Sequence, residues 1–408
     1  MASVVPARTD SSVPIDAERE ARPPAPASKE RYYLPELDIV RFAAFLWVFY
    51  IHAAVSFPAF DTNGWPQILL AGYFAIDLFF MMSAYVIAQL LARELARRGE
   101  INVRAFYVRR MLRTWPLYFF FVALALMLSI STRSASFASW FAVPPSYFLA
   151  FVFFSANFVF ARYSSTTFFV NILWTVSIEE QVYLVFPWLI RGATPRAVFS
   201  VGAVLIATAN LARIHFAYNY SSGVPVWYNT LTHLDAIGIG IVLAAAPRQW
   251  FVALPGVARA ILLALGVGCW IFAINYYYPM VADEYPLQEV VGYAVGMVGC
   301  GIIVAGVLGI FKTDLKHPAM RFLAYAGKIS YGLYVYHALA MTLTIIFCSA
   351  ITRRLPTDSL FVQILRHVAG TSISLSLAFA MAAASYKWLE TPFLKLKERF
   401  TVVPSRAV

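Results

Sequence analysis

Charge is scarce in this chain: of 408 residues only 13% are Asp, Glu, Lys or Arg, against 61% hydrophobic. At a mean hydropathy of +0.68 the chain has more apolar surface than soluble cores can hide, which excludes a water-soluble globule. Cysteine is nearly absent, and Cys269, Cys300 and Cys348 each sit inside an apolar run. That excludes a disulfide framework or a thiolate metal centre and leaves three small buried hydrophobes. The six histidines show no HExxH or other tight ligand spacing, so no metal is expected. Residues 1–31 carry five basic and five acidic side chains amid Pro, Ala and Ser, without the apolar core of a signal peptide, and read as a disordered tail.

What the chain does have is a series of apolar runs, beginning near residues 37, 67, 115, 172, 197, 231, 257, 288, 329 and 364. The expected fold is all-α, a polytopic helical membrane protein with about ten transmembrane helices. A further stretch, "FAVPPSYFLAFVFFSANFVF" at 141–160, is long enough to cross but contains Pro144, Pro145 and Asn157. The loop "ARELARRGEINVRAFYVRRMLR" holds seven arginines against two glutamates and is placed in the cytoplasm by the positive-inside rule. If 141–160 crossed, the later basic loops (Arg191 and Arg196; Lys312, Lys316 and Arg321; Lys395, Lys397 and Arg399) would lie outside. The segment is therefore expected not to cross, which leaves both termini cytoplasmic and Arg353 and Arg354 as outer exceptions. The formal charge of +11 follows from this topology and gives no reason to expect nucleic acid. One membrane domain, 32–396, lies between the tail at 1–31 and a short cytoplasmic tail at 397–408, with no internal repeat and no soluble domain.

Polar residues inside these runs are expensive and need partners or a task. In "ELDIVRFAAFLWVFYIHA", Arg41 and His52 are eleven apart, so they share one helical face roughly 16 Å from each other along the axis. Asp38 stands one turn before Arg41, as a local ion pair would require. Asp77, Glu179, Glu180, His233 and Asp235 all fall between the outer surface and the midplane, as does His52, and these six groups on four helices suggest one polar chamber. Glu179 and Glu180 diverge by about 100° on a helix, so one of them at most reaches His52. Ser177 and Gln181 are one turn apart and could equally tie helices together. In "FYVRRMLRTWPLYFF", Arg110 and Arg113 are three apart and Arg109 and Arg113 four apart, a cluster suited either to bidentate phosphate contact or to lipid headgroups.

These pieces resemble the membrane acyltransferase family 3, O-acyltransferases that decorate bacterial glycans, lipids and some antibiotics. The likeness runs in order from about residue 34 to 396: "ELDIVRFAAFLWVFYIHA", "AIDLFFMMSAYVI", "YVRRMLRTWPLY", "LWTVSIEEQVYLVFP", "GKISYGLYVYH" and "YKWLETPFLKL". Two departures stand out: His233 replaces an arginine common before Leu-Asp, and Thr175 and Val182 replace Ser and Phe.

The resemblance implies an O-acyltransferase of the bacterial inner membrane, with acyl-CoA, acetyl-CoA foremost, as co-substrate and no tightly bound cofactor. The acceptor would be a hydroxyl of an extracytoplasmic or lipid-linked glycan, or of a small lipid or macrolide-like compound. His52 would act as catalytic base or transient acyl carrier, with Glu179 or Glu180 orienting its ring. Arg110, Arg113, Arg109 and Arg41 would hold the donor. Asp77, Ser177, Gln181, Tyr183, His233, Asp235 and His337 would touch substrate or shape the site. Association with polysaccharide assembly proteins or a homodimer would fit such a role. No SGNH-type hydrolase domain follows the membrane domain in this sequence, so a stand-alone enzyme is expected. Trp65, Trp227, Tyr228 and Tyr276 to Tyr278 fall in outer loops, as sugar platforms or as interfacial belt residues. Two non-enzymatic readings stay open: a transporter, which would need paired broken helices that the sequence lacks, and a scaffold for glycan assembly.

Overall fold

The computed structural model describes Met1 and residues 31–57, 70–131, 140–163, 168–192, 194–220, 223–276, 286–311, 315, 317–352 and 359–405. In chain order the principal helices are α1 (Pro35–Ser56), α2 (Ala75–Arg98), α3 (Val103–Ser131), α4 (Pro145–Val152), α5 (Ala156–Tyr163), α6 (Leu173–Ile190), α7 (Pro195–Asn219) and α8 (Val224–Tyr228). They continue with α9 (Leu234–Ala245), α10 (Gly256–Tyr276), α11 (Pro286–Val307), α12 (Pro318–Lys328), α13 (Ser330–Thr352), α14 (Leu360–Ser385) and α15 (Thr391–Glu398). Among the described residues there is no strand.

Among the described residues eight helical runs are long and apolar enough to cross a membrane, and the two other runs read from the sequence form the shorter apolar stretch Leu231–Ala245 and the 18-residue α6. Side chains such as Leu126, Met127 and Ile130 on α3 and Ile261 and Leu265 on α10 face outward, as lipid-contacting residues do. The chain is a multi-pass membrane protein.

Local chemistry sets the ends. Pro35 opens α1, where its missing N–H costs nothing, and Glu36 and Asp38 in the first turn complement the helix dipole. Glu36 Oε1 also accepts from the Gly309 N–H at 2.9 Å, tying the start of α1 to the end of α11. α2 stops at Gly99, which adopts a left-handed φ of 75° and donates its N–H to Leu95 O at 2.8 Å.

The segment 141–160 does not form one helix. It breaks into α4 and α5, each eight residues or roughly 12 Å long, too short to cross alone. The elbow is Phe154, a non-glycine residue at φ 51°. Its ring packs 4.8 Å from Tyr118 and 5.7 Å from Trp115, and this aromatic contact holds a backbone that most residues avoid.

Close helix crossings rest on small residues. A Cβ added to Gly238 of α9 would come 2.6 Å from the Gly202 carbonyl oxygen of α7, and one on Gly327 of α12 would run into the Asp38 carbonyl of α1. Between α14 and α15 the helix widens into a π turn at Tyr386–Glu390, where Thr391 Oγ1 donates to Tyr386 O at 2.7 Å. The last described residues fold back over this end of the bundle: Tyr32 N donates to Pro404 O at 2.8 Å and Arg109 to Phe400 O at 2.9 Å.

Candidate active site

One end of the bundle opens into a cavity. Its walls are Asp38 and Arg41 from α1, Ser83 from α2, Arg110 and Arg113 from α3, Glu179 and Tyr183 from α6, and Lys328 and Lys397 from α12 and α15. Arg41 is held by Asp38 at 3.1 Å, the expected one-turn pair. Arg110 and Arg113 share the cavity face of α3, as three-residue spacing requires. The Arg110 guanidinium lies 5.8 Å from the rings of Phe106 and Tyr183, and its Nε is buried without a hydrogen-bond partner.

Arg109 corrects the expectation for this cluster. It points about 100° away from Arg110, as adjacent helical residues must, and meets Glu94 of α2 at 2.7 Å. With Phe400 O also bound and Glu94 Oε1 accepting from the Asn102 N–H at 3.2 Å, Arg109 ties the bundle together and is committed away from the cavity.

The adjacent glutamates also diverge. Glu179 lines the cavity, hydrogen-bonds Ser83 and faces Arg41 and Arg110. Glu180 turns toward α3, accepting from Thr114 Oγ1 at 2.6 Å and Trp115 Nε1 at 3.0 Å. Neither hydrogen-bonds His52.

The partner of His52 is another histidine. His52 Nδ1 and His337 Nε2 are 2.9 Å apart, with the rings coplanar to within 1°. His337 Nδ1 lies 2.5 Å from the Tyr334 carbonyl. A carbonyl can only accept, so the His337 proton sits on Nδ1 and Nε2 of the neutral ring is left as an acceptor. His52 must then donate from Nδ1, which leaves its Nε2 lone pair as the one basic nitrogen of the pair. His337 is fully buried, and the edge of His52 meets Phe168 at 5.2 Å.

Tyr334 connects the two regions. It lines the cavity, its hydroxyl is 3.1 Å from Thr175 Oγ1, and its ring centroid is 5.5 Å from that of His337. Tyr334 thus packs between the cavity and His337, and neither histidine of the pair lines the cavity.

The single polar chamber expected from depth alone is divided. Asp77 bonds His233 Nδ1 at 2.7 Å, and His233 Nε2 donates to the Trp227 carbonyl at 2.8 Å. With both nitrogens engaged, His233 has no lone pair to offer as a base. Asp235 pairs with Arg213 of α7 at 2.8 Å, and Arg213 also reaches the Thr232 carbonyl. Sequence reasoning missed Arg213, whose signal is an arginine well inside an apolar helix, one turn after Asn210. Histidine stands before Leu234-Asp235, and the cation for Asp235 comes from α7 instead.

Ser177 Oγ donates to Leu173 O at 3.3 Å within its own helix. Gln181, Asn157 and Thr230 close a ring: Gln181 Nε2 donates to Asn157 Oδ1 at 2.9 Å, Asn157 Nδ2 to Thr230 Oγ1 at 3.0 Å, and Thr230 Oγ1 to Gln181 Oε1 at 2.5 Å. Gln181 also donates to the Phe154 carbonyl at 2.6 Å, so this ring pins the elbow between α4 and α5. Trp227 and Tyr228 are buried, packed on Trp174, and are neither open sugar platforms nor belt residues. Trp65, Tyr277 and Tyr278 lie outside the described residues.

The family described as "Acyltransferase domain" matches residues 34–384. The chain is 24% identical over 381 residues to a Staphylococcus aureus (strain COL) protein named "Putative O-acetyltransferase SACOL0978", covering 90% of this chain and 58% of that one. It is 25% identical over 383 residues to O-acetyltransferase OatA of S. aureus (strain NCTC 8325 / PS 47), covering 89% of this chain and 57% of OatA. The chain therefore spans under two thirds of the length of these relatives. No solved structure matches it.

Proposed function

The chain belongs to the acyltransferase family whose domain spans residues 34–384, and we propose that it is a membrane O-acyltransferase that moves an acetyl group from acetyl-CoA to a glycan hydroxyl. The positive-inside pattern supports a cytoplasmic mouth for the arginine-lined cavity, in a bacterial inner membrane with both ends of this chain in the cytoplasm. Arg110 and Arg113 hold the donor's pyrophosphate, Arg41 meets it deeper in, and the pantetheine arm runs toward Tyr334.

The observation that carries this reading is the direction of hydrogen bonding from His52 through His337 to the Tyr334 carbonyl. It leaves one imidazole lone pair for chemistry and fixes the ring that bears it. His52 Nε2 takes the proton from the acceptor hydroxyl as its oxygen attacks the thioester carbonyl carbon. The tetrahedral intermediate collapses with loss of the C–S bond, and the CoA thiolate leaves and recovers the proton from His52. His337 does what a carboxylate does in other acyl-transfer sites, holding the tautomer and orientation of the base. Glu179 contributes to the donor cavity, and Asp77, His233 and Asp235 hold α2, α7 and α9 in register.

The test is turnover of acetyl-CoA by the detergent-purified chain, together with mass spectrometry of surface glycans and lipids from cells with and without the gene. His52→Ala should match the deletion while Cys300→Ala keeps activity. Full ester acylation in His52→Ala cells would refute the assignment. A transporter or scaffold would show no thioester consumption at all.

A further inference from the structure

Acyl transfer needs the base and the thioester carbon side by side, yet neither His52 nor His337 lines the donor cavity. The residues at its deep end name what stands between. α13 gives Ser330, Tyr331 and Tyr334 to the wall, and His337, one turn farther on, lies outside it. α6 enters the wall only at Thr175, and on α1 the wall stops at Arg41, eleven residues before His52. Tyr334 is therefore the last side chain of α13 on the donor's side of the histidine pair.

Its ring is wedged between aromatic neighbours, with centroids 6.2 Å from Phe79 of the cavity wall and 5.5 Å from His337. Fully buried Phe45 closes the α1 side, 6.1 Å from the same histidine. The Tyr334 and Thr175 hydroxyls are 3.1 Å apart and share the Ile172 carbonyl, at 3.4 and 3.0 Å, which latches the ring from α13 to α6. A neutral hydroxyl pair adds only modest net stability, so an entering ligand can displace the ring. Holding His337 uses the Tyr334 backbone carbonyl alone. The ring and its hydroxyl are left for a separate task.

We infer that the Tyr334 ring, latched by Thr175, is the acyl-length filter of the donor site, admitting an acetyl group to His52 and turning longer chains away. The acyl end of a thioester reaches the base by taking the place of this ring. Each methylene beyond acetyl must also displace packed neighbours such as Phe45 and Phe79, and a close-packed wall resists every added methylene. Tyr334 moves no proton in the reaction; it decides which donors arrive. This rests on the acyl-CoA reading above and names the device that sets its acyl group.

Release of CoA thiol from acetyl-, butyryl- and hexanoyl-CoA tests the filter, measured in permeabilised membranes of cells with the gene after subtraction of cells without it. The wild type should show a kcat/KM for acetyl-CoA at least about tenfold above that for hexanoyl-CoA. Tyr334→Ala should raise the hexanoyl-to-acetyl ratio at least about tenfold, and the ratio within one variant does not depend on how much of it folds. Tyr334→Phe and Thr175→Val, which drop one hydroxyl each and keep the bulk, should raise the ratio by smaller, similar factors. An unchanged ratio in Tyr334→Ala overturns the filter, and an unchanged ratio in both hydroxyl variants overturns the latch. Equal use of acetyl- and hexanoyl-CoA by the wild type overturns the filter without any variant, while the acyl-CoA reading stands. Release from none of the three thioesters overturns that reading itself.

Discussion

His52 and His337 come from helices 285 residues apart in sequence and meet nitrogen to nitrogen at 2.9 Å in nearly one plane. Because the far nitrogen of His337 is committed to a backbone carbonyl, the pair has one proton arrangement in its neutral form, and the free lone pair belongs to His52.

Removing the base and removing its holder should therefore differ. His52→Ala is expected to lower acetyl transfer by about 10²–10⁴-fold, the usual weight of a general base, with little change in CoA affinity. Steady-state kinetics with CoA titration checks both halves, and a variant with intact kcat would sink the base assignment.

His337→Leu leaves His52 Nδ1 without an acceptor and frees the ring to turn. Its expected loss is in kcat, about 10-fold or more, with KM for acetyl-CoA unchanged. His337→Gln, whose amide oxygen can accept from the same proton, should recover part of the rate. Equal damage in both variants would indicate a packing role only.

Arg109 and Arg110 are neighbours in sequence with opposite duties. Arg109→Ala strips the partner from Glu94, which is 3% exposed, and should cost about 3–5 kcal/mol of stability with CoA affinity retained in the folded fraction. Arg110→Ala should weaken CoA binding with a smaller stability change. Thermal unfolding and titration of the two variants side by side separate these outcomes.

Arg213→Leu leaves Asp235 as a buried carboxylate without its cation and should fail to accumulate, or unfold several degrees lower. Arg213→Leu/Asp235→Leu removes both charges and should regain much of that loss. Fluorescence-detected size exclusion after a heating series reads the difference, and a double variant no better than the single one would contradict a pairwise role.

Gly238→Leu would drive a side chain into the Gly202 carbonyl and should separate α7 from α9, lowering the yield of folded protein, whereas the same change at Gly268, where the added Cβ meets open space, should be tolerated. Expression and size-exclusion profiles of the two variants provide the comparison.

Much of the architecture was legible because it depends on local properties. Runs of apolar residues find their helices, and Pro144, Pro145 and the residues that follow break where hydropathy alone would have allowed a span. The Asp38–Arg41 pair and the common face of Arg110 and Arg113 follow from helical spacing. Glu179 and Glu180 were separable in direction but not in destination, since a sequence does not reveal which neighbouring helix each will meet. Equal depth in the membrane suggested one chamber, yet depth says nothing about rotation around the bundle, and the polar groups divide among a cavity, a histidine pair and two buried ion pairs.

Sequence by itself determined the membrane-spanning character, the helix positions and the spacing of Arg41 and His52, because hydropathy and a 3.6-residue period act within one segment. Tertiary structure alone decided that His337 rather than a glutamate accepts the hydrogen bond from His52, that Arg109 turns inward to Glu94, and that Arg213 supplies the charge for Asp235. Helices in lipid gain no hydrophobic preference for one neighbour over another, so close packing and hydrogen bonds between distant segments choose the partners, and neither can be read from one segment at a time.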